Sequence, residues 1–202
     1  MKVVVLGASG RAGSAITREL AERHHQVLAI ARRVERIAAQ PNVTAVSADA
    51  SNPAVLAKLI TSYDALISAL SFDIKAATLL SAVKQAGVPR LLVTGGAGSL
   101  EVAPGQMLID SPDFPEIWRK PASAGVDFLN ELQAEDDVNW TFFSPAHVIF
   151  EGPRQGHYRL GGDQLLKDLN GESRISFADY AIAMVDELER GAHNRSRFTA
   201  AY

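Results

Sequence analysis

The 202-residue chain carries 20 Lys+Arg against 23 Asp+Glu, a net charge of -3, so no basic excess marks a nucleic-acid surface. Its 47% hydrophobic and 21% charged residues can build a core and exclude wholesale disorder, and zero cysteines exclude a disulfide scaffold, a thiol nucleophile and any Cys-based metal site. No apolar run reaches the roughly 18 residues of a membrane span and no signal-peptide core follows Met1, so one cytoplasmic domain over residues 1–202 is expected, with neither nucleic acid nor membrane as partner.

Val3-Val4-Val5-Leu6, closed by Gly7, has the pattern of a strand buried on both faces. Over Ala12 to Arg23, Ile16 and Leu20 recur at helical spacing; His24-His25 closes that helix and Val27 to Ile30 reads as a second strand. Such a βαβ unit forces parallel pairing through a right-handed crossover. The alternation continues with a strand at Val43–Val46, a helix from Pro53 to Ser62 capped by Asn52 or Ser51, a strand at Ala65–Ala69, and a helix from Ile74 to Ala86 ended by Gly87. Leu91–Val93 is a fifth strand and Trp140–Phe143 a sixth; between them Glu116–Asp136 reads as a helix that Pro121 is expected to kink or split. Ser176-x-x-Asp179 resembles a capping box opening a helix that runs to Arg190 and stops at Gly191, and Arg197–Thr199 is a final strand. The expected fold is α/β: a doubly wound parallel sheet, the Rossmann fold, with small C-terminal substrate inserts near residues 95–115 and 144–171. Both inserts follow strands, which places them at the carboxyl edge of the sheet, where open α/β folds bind ligands.

Gly7-Ala8-Ser9-Gly10-Arg11-Ala12-Gly13 stands between the first strand and the first helix with the spacing G-x-x-G-x-x-G. A diphosphate needs close approach to backbone N–H groups at a helix N-terminus, and a Cβ in the turn would block it. Gly13 is expected to let the helix pack tightly on the strand. Glycine also serves ordinary strand-to-helix turns, but the position after an N-terminal buried strand is the one a dinucleotide fingerprint requires. An NAD site usually ends the second strand with Asp or Glu for the ribose 2′-hydroxyl. Here that strand ends in Arg32-Arg33, which suit a 2′-phosphate, and Glu35 falls past it. Arg11 is expected to add a second cation from the other side, so NADP(H) is favoured over NAD(H); the competing reading makes Arg32 and Arg33 a solvated pair.

Topology supplies the remaining candidates. Asp49 and Ala50 end the third strand, where Asp49 either accepts from the adenine amino group or caps the helix near Pro53. Ala69, Leu70 and Ser71 follow the fourth strand beneath the expected ribose. Thr94, Gly95 and Gly96 end the fifth near the expected nicotinamide, and Ser144 and Pro145 end the sixth beside its amide. His147 and Lys120 are weak catalytic candidates, set against a loop histidine satisfied by backbone and a solvated lysine. Phe114, Trp118 and Phe150 either stack on a planar acceptor or plug the small lobe against the sheet, and His157 and Tyr158 are weaker candidates for the same pocket. Five histidines without a paired short spacing give no metal site.

The glycine turn, together with Val93-Thr94-Gly95-Gly96-Ala97-Gly98-Ser99-Leu100, Phe143-Ser144-Pro145-Ala146 and Tyr158-Arg159-Leu160-Gly161-Gly162-Asp163, resembles the atypical short-chain dehydrogenase/reductases with NmrA-like NAD(P)-binding domains. The likeness is strongest to bacterial NADH-flavin reductases of the flavin/biliverdin reductase type and covers nearly the whole chain. It implies NAD(P)H binding and reduction of a flavin, quinone or similar planar acceptor. The chain departs from the wider superfamily in lacking Tyr-x-x-x-Lys: none of Tyr63, Tyr158, Tyr180 and Tyr202 has a lysine four positions on, and Glu116 stands four before Lys120. A conjugated acceptor removes the difficulty, because its ring delocalises the incoming electrons and takes its proton from water. The expected function is an NAD(P)H-dependent, NADPH-preferring reductase of a flavin, quinone or similar planar acceptor acting by direct hydride transfer, in which flavin is either a substrate or a tightly held group. The alternative is an NADP(H)-sensing regulatory protein without turnover. The sequence assigns neither the physiological acceptor nor an oligomeric state.

Overall fold

A computed structural model describes all 202 residues. In chain order the elements are β1 (Lys2–Leu6), α1 (Arg11–Glu22), β2 (Gln26–Ala31), β3 (Val43–Ser47), α2 (Pro53–Ile60), β4 (Ala65–Ser68), α3 (Ala76–Ala86), β5 (Arg90–Thr94), β6 (Glu101–Ala103), β7 (Gln106–Met107), α4 (Glu116–Gln133), β8 (Asn139–Pro145), β9 (Val148–Phe150), β10 (Arg159–Gly161), β11 (Arg174–Ser176), α5 (Phe177–Arg190) and β12 (Ser196–Ala201). The main sheet has the order β10-β12-β8-β5-β4-β1-β2-β3 and is parallel throughout except for β10 at one edge.

Val3 to Leu6 are wholly buried because both faces of β1 are covered. Val3 and Val5 pack with Ile16 and Leu20 of α1 and Tyr180 and Met184 of α5. Val4 and Leu6 pack on the other side with Leu56 and Ile60 of α2, Leu79 of α3 and Phe128 of α4. This two-sided burial produces the uninterrupted apolar run in the sequence. Strand order reverses between β1 and β4, and a crevice opens at their carboxyl ends.

Two local expectations are corrected. Pro121 does not split α4, which runs unbroken over Glu116–Gln133. The carbonyl that Pro121 leaves without a helical donor belongs to Ile117, a residue 79% exposed, so the loss falls on the solvent-facing first turns of the helix. Ser176 does cap α5, its Oγ accepting from the Asp179 amide at 3.0 Å, but the reciprocal half of the box is absent. The Ser176 amide donates to the Tyr202 hydroxyl instead, and the Asp179 carboxylate accepts the amides of Gln155 and Gly156 at 3.0 and 2.8 Å. Tyr158, considered for an acceptor pocket, donates its hydroxyl to Asp186 on α5 at 2.8 Å, and Arg154 reaches Glu19 of α1 at 3.1 Å, so this stretch of the second insert is moored to the α1/α5 layer.

Both inserts begin at the carboxyl edge, after β5 and after β8, and they are joined. The Glu101 amide donates to the Asp163 carbonyl and the Leu165 amide to the Glu101 carbonyl, each at 2.8 Å. Arg197 of β12 braces the junction from below, donating to the Ser99 carbonyl at 2.7 Å and to the Asp163 carboxylate at 2.5 Å.

Candidate functional site

The crevice between β1 and β4 is shaped by glycine. Gly7 has φ of +74°, and a Cβ there would lie 2.5 Å from the Ala69 carbonyl oxygen. A Cβ on Gly13 would lie 2.2 Å from the Gly7 oxygen, so only glycine lets α1 press onto the end of β1. Gly10 is the N-cap of α1; no side chain caps the helix and no acid stands in its first turn. The first N–H groups and the positive end of the helix dipole are therefore available to an anion, and the turn fits a diphosphate.

A cleft of about 220 Å³ opens over this turn. Gly7, Ser9 and Gly10 form one wall, Arg32, Arg33, Asp49 and Ala50 a second, and Ala69, Leu70 and Ser71 a third. Ten sequence-chosen residues from four strand ends thus meet in one space. Arg32 and Arg33 are exposed at its mouth, and the Ser47 hydroxyl donates to the Arg32 carbonyl at 3.2 Å. The Asp49 carboxyl is held below the usual range, first by its hydrogen bonds from Ser51 and then by the charge of Arg32. It is not the cap of α2, a role Asn52 takes by accepting from the amides of Ala54 and Val55 at 3.1 and 3.2 Å.

The remaining candidates lie elsewhere. Ala8, Ala12 and Gly13 stand behind the cleft, where Ala8 and Gly13 are buried. Arg11 does not join Arg32 and Arg33: its guanidinium sits 5.1 Å from the centre of the Phe177 ring at the start of α5. Thr94, Gly95 and Gly96 occupy the end of β5, where a Cβ on Gly95 would meet the Phe142 ring at 2.4 Å. The Gly95 amide and the Tyr180 hydroxyl both donate to the Phe143 carbonyl, at 2.8 Å each, which fixes this turn against β8. Ser144 is fully buried and Pro145 half-buried at the neighbouring strand end. These five share the carboxyl edge with the cleft but do not line it.

His147 is exposed; its backbone amide donates to Ser173 Oγ at 3.1 Å and its ring has no protein partner. Lys120 is exposed on α4 and forms no hydrogen bond or ion pair. Phe114 and Phe150 are covered by the guanidinium groups of Arg119 and Arg174 at 5.7 and 4.5 Å, whereas Trp118 is 59% exposed. Sequence reasoning missed Leu6, Ile30, Ala31, Ala48, Asp73 and Ile74, which also line the cleft. Leu6, Ala31 and Ala48 directly adjoin a residue already chosen and Ile30 lies one further back along β2; Asp73 hydrogen-bonds Ser71, a contact across two residues with no sequence signature. No helix is long and apolar enough to cross a membrane.

The profile of the NAD(P)H-binding family matches residues 7–188. Three solved structures superpose over the whole chain. A "putative epimerase" from Bacteroides thetaiotaomicron is 41% identical, covers 100% of this chain and 96% of its own, and gives a TM-score of 0.94. A "putative exported protein" from Burkholderia pseudomallei is 41% identical over 100% of both chains, with a TM-score of 0.92. A "putative NADH-flavin reductase" from Streptococcus pneumoniae is 35% identical over 100% of this chain and 99% of its own, with a TM-score of 0.85.

Proposed function

The chain belongs to the NAD(P)H-binding family, in the NmrA-like group of atypical short-chain dehydrogenase/reductases, and on that premise we propose that it is an NADPH-preferring reductase of a flavin, quinone or similar planar acceptor. One observation carries this reading: a single cleft unites the uncapped glycine turn with two free guanidinium groups at the end of β2. The turn takes the diphosphate, Arg32 and Arg33 take the adenosine 2′-phosphate, and Asp49 accepts from the adenine amine. NADPH, when bound, supplies the hydride. Thr94, Gly95, Gly96, Ser144 and Pro145 form the floor for the nicotinamide. The acceptor stacks as a free small molecule and draws its proton from solvent, which suits a site without the Tyr-x-x-x-Lys pair. The same lack weighs against an epimerase, which needs placed acid and base groups. Residues 1–202 act as one cofactor-binding unit, and reliance on NADPH fits a cytoplasmic setting.

The test is to mix protein, NADPH and either FMN or a quinone and follow loss of the nicotinamide absorbance. Steady turnover, with NADH binding more weakly than NADPH, is the expected result. Tight NADPH binding without turnover on any planar acceptor would instead identify a redox sensor, and equal affinities for NADH and NADPH would remove the role given to Arg32.

A further inference from the structure

We infer that Ser144 and Thr199 bind the neutral carbonyl edge of the acceptor, at the strand ends next to the nicotinamide floor. This deepens the reductase reading above and rests on it. Four buried side-chain polar atoms find no hydrogen-bond partner in the protein, and two of them are the hydroxyls of Ser144 and Thr199. Both residues are 0% exposed. They are register partners on the parallel strands β8 and β12, so their backbones stand one strand spacing apart, about 4.8 Å. A buried hydroxyl without a partner costs stability, and alanine or valine would fill nearly the same space without that cost. Two such groups side by side at the carboxyl edge call for a partner that arrives from outside.

The pleat fixes the direction of both side chains. Phe143 and Phe198 point to the α1/α5 side, where their ring centres lie 4.1 Å apart. Ser144 and Thr199 come next along each strand and so point to the opposite side, shared with Phe142 and Arg197. The first insert lies against that side: the Phe142 ring fills the space a Gly95 Cβ would take, and Arg197 donates to the Ser99 carbonyl at 2.7 Å. The two hydroxyls therefore face the underside of the insert, and the acceptor reaches them when the insert lifts.

Charge on this side is already matched, because Arg197 is paired with Asp163 at 2.5 Å. What is left to recognise a ligand is two neutral groups that can each donate and accept. They suit the carbonyl edge of a flavin or quinone ring; an anion would call for an unpaired cation. Strand order sets the place. The diphosphate turn follows β1, the nicotinamide floor lies at β5 and β8, and β12 is the next strand outward. A ring stacked within hydride reach of the nicotinamide extends over that next strand end.

The experiment compares the unmodified protein with Thr199→Val, Thr199→Ser and Ser144→Ala. It reads thermal melting of the unliganded protein, calorimetric Kd for NADP⁺, and Kd for riboflavin on the NADP⁺-loaded protein by fluorescence quenching, which needs no turnover. Thr199→Val is expected to raise Tm by about 2–4 °C, because it removes an unpaired buried hydroxyl. Riboflavin should bind about tenfold more weakly, while NADP⁺ is unchanged. Thr199→Ser keeps the hydroxyl and should keep riboflavin affinity; Ser144→Ala should raise Tm and weaken riboflavin. A lower Tm for Thr199→Val would show that the hydroxyl already serves the fold, and overturns the inference. Riboflavin affinity indifferent to Thr199→Val, an equal loss of NADP⁺ affinity, or no riboflavin binding by the unmodified protein overturns it as well. Riboflavin binding that depends on Thr199 without NADPH turnover would leave this site standing and remove the reductase reading. Failure to bind NADP⁺ would count against the cofactor reading, and the riboflavin titrations then decide the site on the protein alone.

Discussion

The Tyr202 hydroxyl donates to the Asp179 carboxylate at 2.5 Å and so ties the end of β12 to the first turn of α5. The same carboxylate holds the Gln155 and Gly156 amides, and the Ser176 hydroxyl reaches the Pro153 carbonyl at 3.1 Å. One buried acid thus fastens the second insert, a helix and an edge of the sheet. Burial disfavours its charge, but the hydrogen bonds from Tyr202, Gly156, Gln155 and Ser176 prevail and hold its carboxyl below the usual range.

Asp179→Asn is therefore expected to cost about 1–3 kcal/mol at neutral pH, because an amide accepts fewer of these donors. A lowered carboxyl stabilises the fold above its ordinary value of 3.8, and that contribution disappears as pH falls through the folded-state value. Urea unfolding at a series of pH values should show a steep acid loss in the unmodified protein and a shallower one in the variant. Parallel acid limbs would contradict the assignment.

Gly7→Ala combines a φ of +74° with a Cβ 2.5 Å from the Ala69 carbonyl oxygen. Expected is a loss of about 1–3 kcal/mol together with loss of dinucleotide binding, read by thermal melting and calorimetry. Gly87→Ala is the control: φ is +68° there but nothing lies within 4 Å, so about 1 kcal/mol is lost and binding survives.

Arg32→Asp replaces a free guanidinium at the cleft mouth with a charge that repels a 2′-phosphate. NADPH should weaken by about 1–3 kcal/mol and NADH little, by calorimetry. Equal losses for both nucleotides would show that the arginine does not read the 2′ position.

Glu187 accepts from Arg90 Nη2 at 2.7 Å and from the His193 amide at 2.9 Å, and Glu187 and Arg90 are both buried. Glu187→Ala leaves the buried guanidinium without its counter-ion, held only by Asn139 and Asn194, an expected cost of about 3–5 kcal/mol. Arg90 begins β5, at the edge of the sheet opposite the cleft, so NADPH affinity of the folded variant should hold. A shifted Kd without a lowered denaturant midpoint would reverse this separation of stability from binding.

The parallel core was legible because strands buried on both faces leave continuous apolar runs, as in Val3–Leu6, and because Gly87 and Gly191 stop helices with left-handed backbone, at φ of +68° and +62°. The cleft was legible because consecutive strand ends in a doubly wound sheet converge, which brought Gly7, Arg32, Asp49 and Ala69 together from the topology alone. The strands β6, β7, β9, β10 and β11 were not, since two or three residues carry no periodicity and their pairing depends on distant chain. Side-chain direction was also hidden. Spacing placed Arg11 in the turn but could not show that it leans on Phe177, and a Ser-x-x-Asp pattern could not show that Asp179 serves a loop some twenty residues upstream in place of its own cap.

The bond from Glu101 to Asp163 has an evolutionary corollary. Because the two flaps over the carboxyl edge share a ladder and one arginine brace, neither can lengthen or shift without resetting its neighbour. Divergence among relatives at this edge should then appear as paired changes in both flaps, leaving the glycine-turn half of the crevice untouched.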